Sequence, residues 1–169
     1  MSTKVFILVE NIYEDLEFWY PYYRLREEGA NVVTVAPQAD VEYTSKHGYP
    51  VRSDAAAKDL KGDQCDALIV PGGYAPDKMR RDADMVRLVK QADAAGKVIA
   101  SICHGPWMFA EADILKGRRL TSVPAIKTDL INAGASWCDE EVVVDKNLIT
   151  SRTPPDLPAY AKAIIQALR

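Results

Sequence analysis

Cys103, His104 and the Gly105-Pro106 pair behind them bring together a nucleophile, a base and a sharp turn at one point in the chain. They close the run Val98-Ile99-Ala100-Ser101-Ile102, which reads as a buried strand. They open a pattern of Trp107, Met108, Ala110, Ile114 and Leu115 that suits a helix packed on a sheet. A side chain on such a strand-to-helix turn takes a strained backbone conformation and is presented at the carboxyl edge of the sheet. The turn needs small residues two places to either side, and Ser101 and Gly105 fill those places. A thiol held there lies near a helix start, whose partial positive charge favours the thiolate. The plain alternative is a small core cysteine, which leaves the small-x-Cys-His-Gly context without a reason.

Two further stretches carry usable chemistry. Pro71-Gly72-Gly73 is neither a dinucleotide-binding nor a Walker pattern. Without side chains, Gly72 and Gly73 let backbone N–H groups approach a substrate oxygen, and with the N–H of His104 they would form an oxyanion hole; a plain tight turn would use the same tripeptide. Glu17 is the third candidate. Ionised beside Cys103 it would repel the thiolate; protonated it would donate a hydrogen bond to the sulfur. Its neighbours Leu16, Phe18 and Trp19 favour the protonated form, whereas Glu14 and Asp15 fit better as exposed helix-start acids. His104 is the natural general base, although only a sharp turn brings adjacent residues into one cleft. His47 reads as solvated, and Cys65 and Cys138 as structural.

The elements that must position these residues follow from periodicity. Strands are expected over 5–9, 32–36, 65–70, 98–102, 142–144 and 148–150, and a small hairpin over 41–51. Helices are expected over 15–28, stopped by Gly29, before Gly96 on Met85, Leu88, Val89 and Ala92, over 126–133, and at the end on Leu157, Tyr160, Ala161, Ile164, Ile165 and Leu168. Pro21 lies inside the first helix and deprives the Glu17 carbonyl of its donor, which predicts a loosened first turn. Strands alternating with helices predict an α/β, flavodoxin-like doubly wound domain, with a mostly parallel sheet covered on both faces and ligands at the strands' carboxyl ends.

Composition narrows the partners. The 169 residues are read as one domain, 1–169, and 21 basic against 24 acidic side chains, scattered along the chain, point to neither nucleic acid nor an anionic membrane. No apolar run approaches a bilayer span, and Met1-Ser2-Thr3-Lys4 leads into a strand without a signal-peptide cleavage pattern. Three cysteines without a Cys-x-x-Cys pair fit a reducing cytoplasm, with no disulfide framework and no zinc site.

The motifs together have a family look. Ala100-Ser101-Ile102-Cys103-His104-Gly105-Pro106, Glu14-Asp15-Leu16-Glu17 with Tyr20-Pro21, Pro71-Gly72-Gly73, and Ser151-Arg152-Thr153-Pro154-Pro155-Asp156-Leu157 resemble the PfpI-type intracellular cysteine peptidases. Their superfamily includes the parkinsonism-associated protein deglycase and class I glutamine amidotransferase domains. The resemblance implies a nucleophilic Cys103, His104 beside it and Glu17 on the sulfur, with no metal and no cofactor. It implies a homodimer or larger homo-oligomer, in which a neighbouring subunit's acid orients the histidine. Asp77 matches that acid, one methylene shorter than the glutamate of the PfpI branch. The expected function is a cytoplasmic, stress-related cysteine hydrolase acting on peptides, or on methylglyoxal and its protein adducts. The alternative is a redox sensor or stress chaperone using an oxidisable Cys103. An amidotransferase is disfavoured because no histidine follows His104.

Overall fold

The computed structural model describes residues 3–169; Met1 and Ser2, the start of the N-terminal run considered above, lie outside the described residues. In chain order the elements are β1 (Lys4–Leu8), α1 (Asp15–Glu27), β2 (Asn31–Ala36), β3 (Glu42–Thr44), β4 (Pro50–Arg52), β5 (Ala55–Ala56), β6 (Ala67–Val70), α2 (Ala75–Met79) and α3 (Ala83–Ala94). They continue with β7 (Val98–Ile102), α4 (Trp107–Glu111), β8 (Arg119–Leu120), α5 (Lys127–Asn132), β9 (Ser136–Trp137), β10 (Val142–Asp145), β11 (Leu148–Ser151) and α6 (Leu157–Ala167).

The central sheet has the order β10-β11-β7-β6-β1-β2-β5. Its pairs are parallel except for β10 against β11. Successive side chains of a strand point to opposite faces, and every residue of β6 and β7 is buried. Both faces are therefore covered, as their unbroken apolar runs require. Helix α1 packs beside α6, and α3 beside α4. The α/β, mostly parallel architecture expected from the sequence is the one observed.

Strands β3 and β4 form the expected antiparallel hairpin, with Tyr43 opposite Val51. The two-residue strands β5, β8 and β9 and the five-residue helix α2 are additions that periodicity does not resolve, because none completes two repeats of its own pattern. The loosened first turn of α1 does not occur. Helix α1 runs through Pro21 unbroken, and the Glu14 carboxylate caps it by accepting the Glu17 N–H at 2.9 Å. Pro21 removes only the donor to the Glu17 carbonyl; the Glu14 carbonyl keeps its bond from Phe18 at 3.2 Å.

Candidate active site

Cys103 leaves β7 in the left-handed backbone region, with φ +62°. A side chain there clashes with its own backbone, so the neighbours must hold it. Its N–H donates to the Ser151 carbonyl and its carbonyl accepts from Val123, both at 3.2 Å. Gly105 is obligatory for packing: a Cβ would stand 2.6 Å from the Val70 oxygen and 2.9 Å from the Ser101 Cβ. Ile12 is a second strained residue, with φ +66°, and a β-branched side chain is a marked outlier there. Both strained positions line one cleft of about 460 Å³, together with Glu14, Glu17, Lys46, Gly73, Tyr74, His104, Thr153 and Pro154. The cleft lies at the carboxyl ends of the strands, where doubly wound folds bind ligands.

The turn brings the adjacent residues together. Cys103 Sγ lies 3.2 Å from His104 Nδ1. Burial and the Lys46 ammonium both lower the His104 pKa, so its ring is neutral at physiological pH and able to take a proton. The His104 ring stands 5.0 Å from that of Trp107, and the Arg80 guanidinium lies 5.1 Å from a Trp107 ring centroid.

Glu17 is fully buried. Its Oε2 accepts the Gly72 N–H at 2.8 Å, and its carboxyl group lies beside Cys103, both crowding the place a Gly72 Cβ would take. Burial, and the nearby Glu14 charge after it, push the Glu17 pKa up to about 8; the group is a neutral acid at physiological pH. The apolar setting in the sequence pointed to this state. Glu14 is itself buried as a helix cap, a correction to its reading as an exposed acid.

The basis expected for thiol ionisation needs correcting. Burial first, and the Glu17 charge second, push the Cys103 pKa up to about 12, against the pull of the Gly73 and His104 N–H groups. Helix α4 begins only at Trp107 and is five residues long, so its dipole is a weak counterweight. The Glu17 contribution lapses while Glu17 keeps its proton, and the same group then donates to sulfur.

The glycine turn also divides its labour differently. Gly72 does not supply an oxyanion donor, since its N–H is taken by Glu17. It supplies space: a Cβ would stand 2.4 Å from Glu17 Oε2 and 2.6 Å from Cys103 Cβ. Gly73, at φ +74°, and His104 carry the N–H groups whose pull on the sulfur opposes the rise in the Cys103 pKa, and these two are the donors available to an oxyanion.

Asp77 lies on α2 and is ion-paired with Arg80 at 3.9 Å and with Arg81. Those partners hold its carboxyl below its ordinary range, and within the chain it does not join the Cys103 cluster. His47 is not simply solvated: its Nδ1 lies 2.8 Å from Asp15 Oδ2. Glu14, Asp15 and His47 come close enough to hold a metal ion. Their ligand atoms are already engaged, by the Glu17 N–H, Lys46, Ser45 and each other. Ile12 and Lys46 enter the cleft from loops distant in the chain, while Thr153 and Tyr74 come from, or directly follow, motifs already singled out in the sequence.

The DJ-1/PfpI family model matches residues 3–167. A deglycase of Pyrococcus abyssi is 45% identical over 166 residues, covering 98% of this chain and 99% of that protein. A Bacillus subtilis relative that bears a cysteine protease name is 40% identical over 169 residues, covering all of both chains. Among solved structures, a two-domain protein of Anabaena variabilis with DJ-1/ThiJ/PfpI-like and ferritin-like domains superposes with a TM-score of 0.97 at 42% identity. The match covers 99% of this chain and 48% of that longer one. With the strained cysteine, its histidine and the buried glutamate on the same scaffold, this chain belongs to the DJ-1/PfpI family.

Proposed function

We propose that the protein is a cytoplasmic, cofactor-independent cysteine hydrolase of the deglycase type, acting on methylglyoxal and the adducts it leaves on proteins. The observation that carries this reading is the 3.2 Å approach of Cys103 Sγ to His104 Nδ1 in an open cleft backed by a protonated acid. Deglycase names among close full-length relatives support the substrate class. As Sγ adds to the aldehyde carbon, a C–S bond forms and the thiol proton passes to Nδ1. The carbonyl oxygen takes up negative charge facing the Gly73 and His104 N–H groups. His104 returns the thiol proton to the oxyanion, then takes the proton of the former aldehyde carbon and delivers it to the adjacent carbon by way of an enediol, while the hydroxyl proton ends on the neighbouring oxygen. This leaves the thioester of a 2-hydroxy acid, which water cleaves to free thiol and 2-hydroxy acid. Glu17 steadies the sulfur whenever it carries charge.

Peptide hydrolysis is the second reading, supported by the protease name of the Bacillus subtilis relative; the same nucleophile, base and donors serve it. A redox sensor has less support, because it needs a low-pKa exposed thiolate and burial drives Cys103 the other way. We further propose, on the family resemblance, a homo-oligomer in which Asp77 of one copy reaches His104 of another. The test is turnover of methylglyoxal, a methylglyoxal-treated acetyl-arginine and a peptide panel by the purified protein and its Cys103→Ala variant. Acid release from the first two, abolished in the variant, is expected; turnover retained by the variant overturns the mechanism.

A further inference from the structure

Ile12 is held in the left-handed backbone region, at φ +66°, by three hydrogen bonds. Its N–H donates to the Thr44 carbonyl at 2.8 Å, and its own carbonyl accepts from Tyr74 at 2.9 Å and Ala75 at 3.2 Å. Glycine or asparagine would meet that conformation with little strain. Isoleucine does not, and packing gives little in return, since the side chain is 41% exposed and stands outside the hydrophobic core. Tyr74, tied to Ile12 by its backbone bond, is 50% exposed and also outside the core. Both line the cleft that holds Cys103 and His104. Strain kept without a structural return points to contact with a ligand.

We propose that Ile12 and Tyr74 are specificity-determining residues, an apolar lip that makes the cleft select 2-oxoaldehydes carrying a branched or aromatic group over methylglyoxal. The inference rests on the reading of Cys103 as the nucleophile toward such aldehydes, and it narrows the substrate class of that same site. The cleft, at about 460 Å³, lies in the range that takes drug-sized ligands, and methylglyoxal leaves most of it to water. The charged groups of its lining already have partners: Glu14 pairs with Lys46 at 3.6 Å, and Glu17 accepts the Gly72 N–H. What the lining leaves for an incoming substituent is the apolar surface of Ile12, Tyr74 and Pro154. A branched or aromatic group placed there takes its own surface and theirs out of water, a gain that grows with area and that a methyl group hardly collects. The chemistry at the aldehyde carbon is unchanged; the lip acts on the group attached to the ketone carbon.

The test measures 2-hydroxy acid release from methylglyoxal and from the 2-oxoaldehyde in which isobutyl replaces the methyl group. Both are assayed with wild type, Ile12→Asn, Tyr74→Ser, Tyr74→Phe and Cys103→Ala, with Tm recorded for each. In wild type, kcat/KM for the isobutyl compound is expected to exceed that for methylglyoxal by about tenfold or more, the low end of what a well-placed methylene supplies. That ratio is expected to fall several-fold in Ile12→Asn and in Tyr74→Ser, and to survive in Tyr74→Phe, which keeps the ring. Tm is expected to rise in Ile12→Asn, because asparagine tolerates the left-handed backbone. A wild-type ratio at or below one overturns the proposal. So does a ratio unchanged in Ile12→Asn and Tyr74→Ser, even where these sediment as smaller species, which would assign the lip to subunit contact. A loss in Tyr74→Phe equal to that in Tyr74→Ser would move the effect to the hydroxyl, and a Tm that falls in Ile12→Asn would give the isoleucine a structural return; either result also overturns it. Acid release from neither aldehyde, or release by Cys103→Ala, overturns the underlying reading instead.

Discussion

Glu17 Oε2 accepts the Gly72 N–H at 2.8 Å, and this bond fastens the first helix to the turn after β6 directly behind the Cys103 thiol. It holds a carboxyl group where water cannot ionise it cheaply. It also consumes the Gly72 donor, leaving Gly73 and His104 as the pair that meets an oxyanion.

Gly72→Ala places a methyl group 2.4 Å from Glu17 Oε2 and 2.6 Å from Cys103 Cβ. Overpacking of this kind costs about 1–3 kcal/mol. We expect a lower Tm and loss of most activity. Activity retained at the wild-type level would show that the turn has room to move.

The raised Glu17 pKa makes stability pH-dependent with a defined sign. The folded carboxyl keeps its proton to about pH 8, whereas the unfolded group releases it near 4.5. Its contribution is therefore fully present below the unfolded value and is lost as pH rises toward the folded one. The slope approaches about 1.4 kcal/mol per pH unit between them. Urea unfolding of Glu17→Gln compared with wild type across that window is expected to show this slope removed; parallel curves would deny the linkage.

His104→Asn removes the base while keeping a polar side chain of similar reach. A fall in kcat/KM of about 10²–10⁴ is expected, with Tm little changed. Loss of activity by less than tenfold would assign the thiol proton to another acceptor.

Cys103→Gly relieves the left-handed backbone at φ +62°. Such strain costs roughly 1–2 kcal/mol, partly offset by the entropy of glycine in the unfolded chain. Differential scanning calorimetry is expected to show an inactive protein with a Tm raised by a few degrees. A lowered Tm would mean that the thiol contacts outweigh the strain.

The assignment of Asp77 across subunits is tested by complementation. Asp77→Ala and Cys103→Ala are each expected to be nearly inactive, and their mixture, after subunit exchange, to recover part of the activity. Sedimentation showing only monomer, or mixtures that stay inactive, would remove Asp77 from the mechanism and leave it an acid paired with Arg80 and Arg81.

The site was legible in the sequence where chemistry and local geometry coincide. Small residues at 101 and 105 around Cys103 announce the strained turn, and the apolar neighbours of Glu17 announce its protonation. Long elements were equally readable, because β1, β6 and β7 are buried on both faces and α3 and α6 carry apolar faces at helical spacing. The job of Gly72 was not legible, since its N–H could serve substrate or protein and only the fold decides between them. Nor was the balance at the sulfur: burial is a property of the whole packed cleft, and it outweighs the short helix that sequence made conspicuous. Lys46 and Ile12 join the site through loop crossings such as the Ile12 N–H donating to Thr44 at 2.8 Å, which no local pattern encodes.

The account depends on Glu17 standing behind the sulfur as an uncharged acid. Infrared difference spectroscopy of wild type minus Glu17→Gln at neutral pH reads that state directly. The account predicts a protonated carboxyl C=O band that disappears as pH rises past about 8. A carboxylate band alone at neutral pH, with no protonated carbonyl stretch, would contradict it.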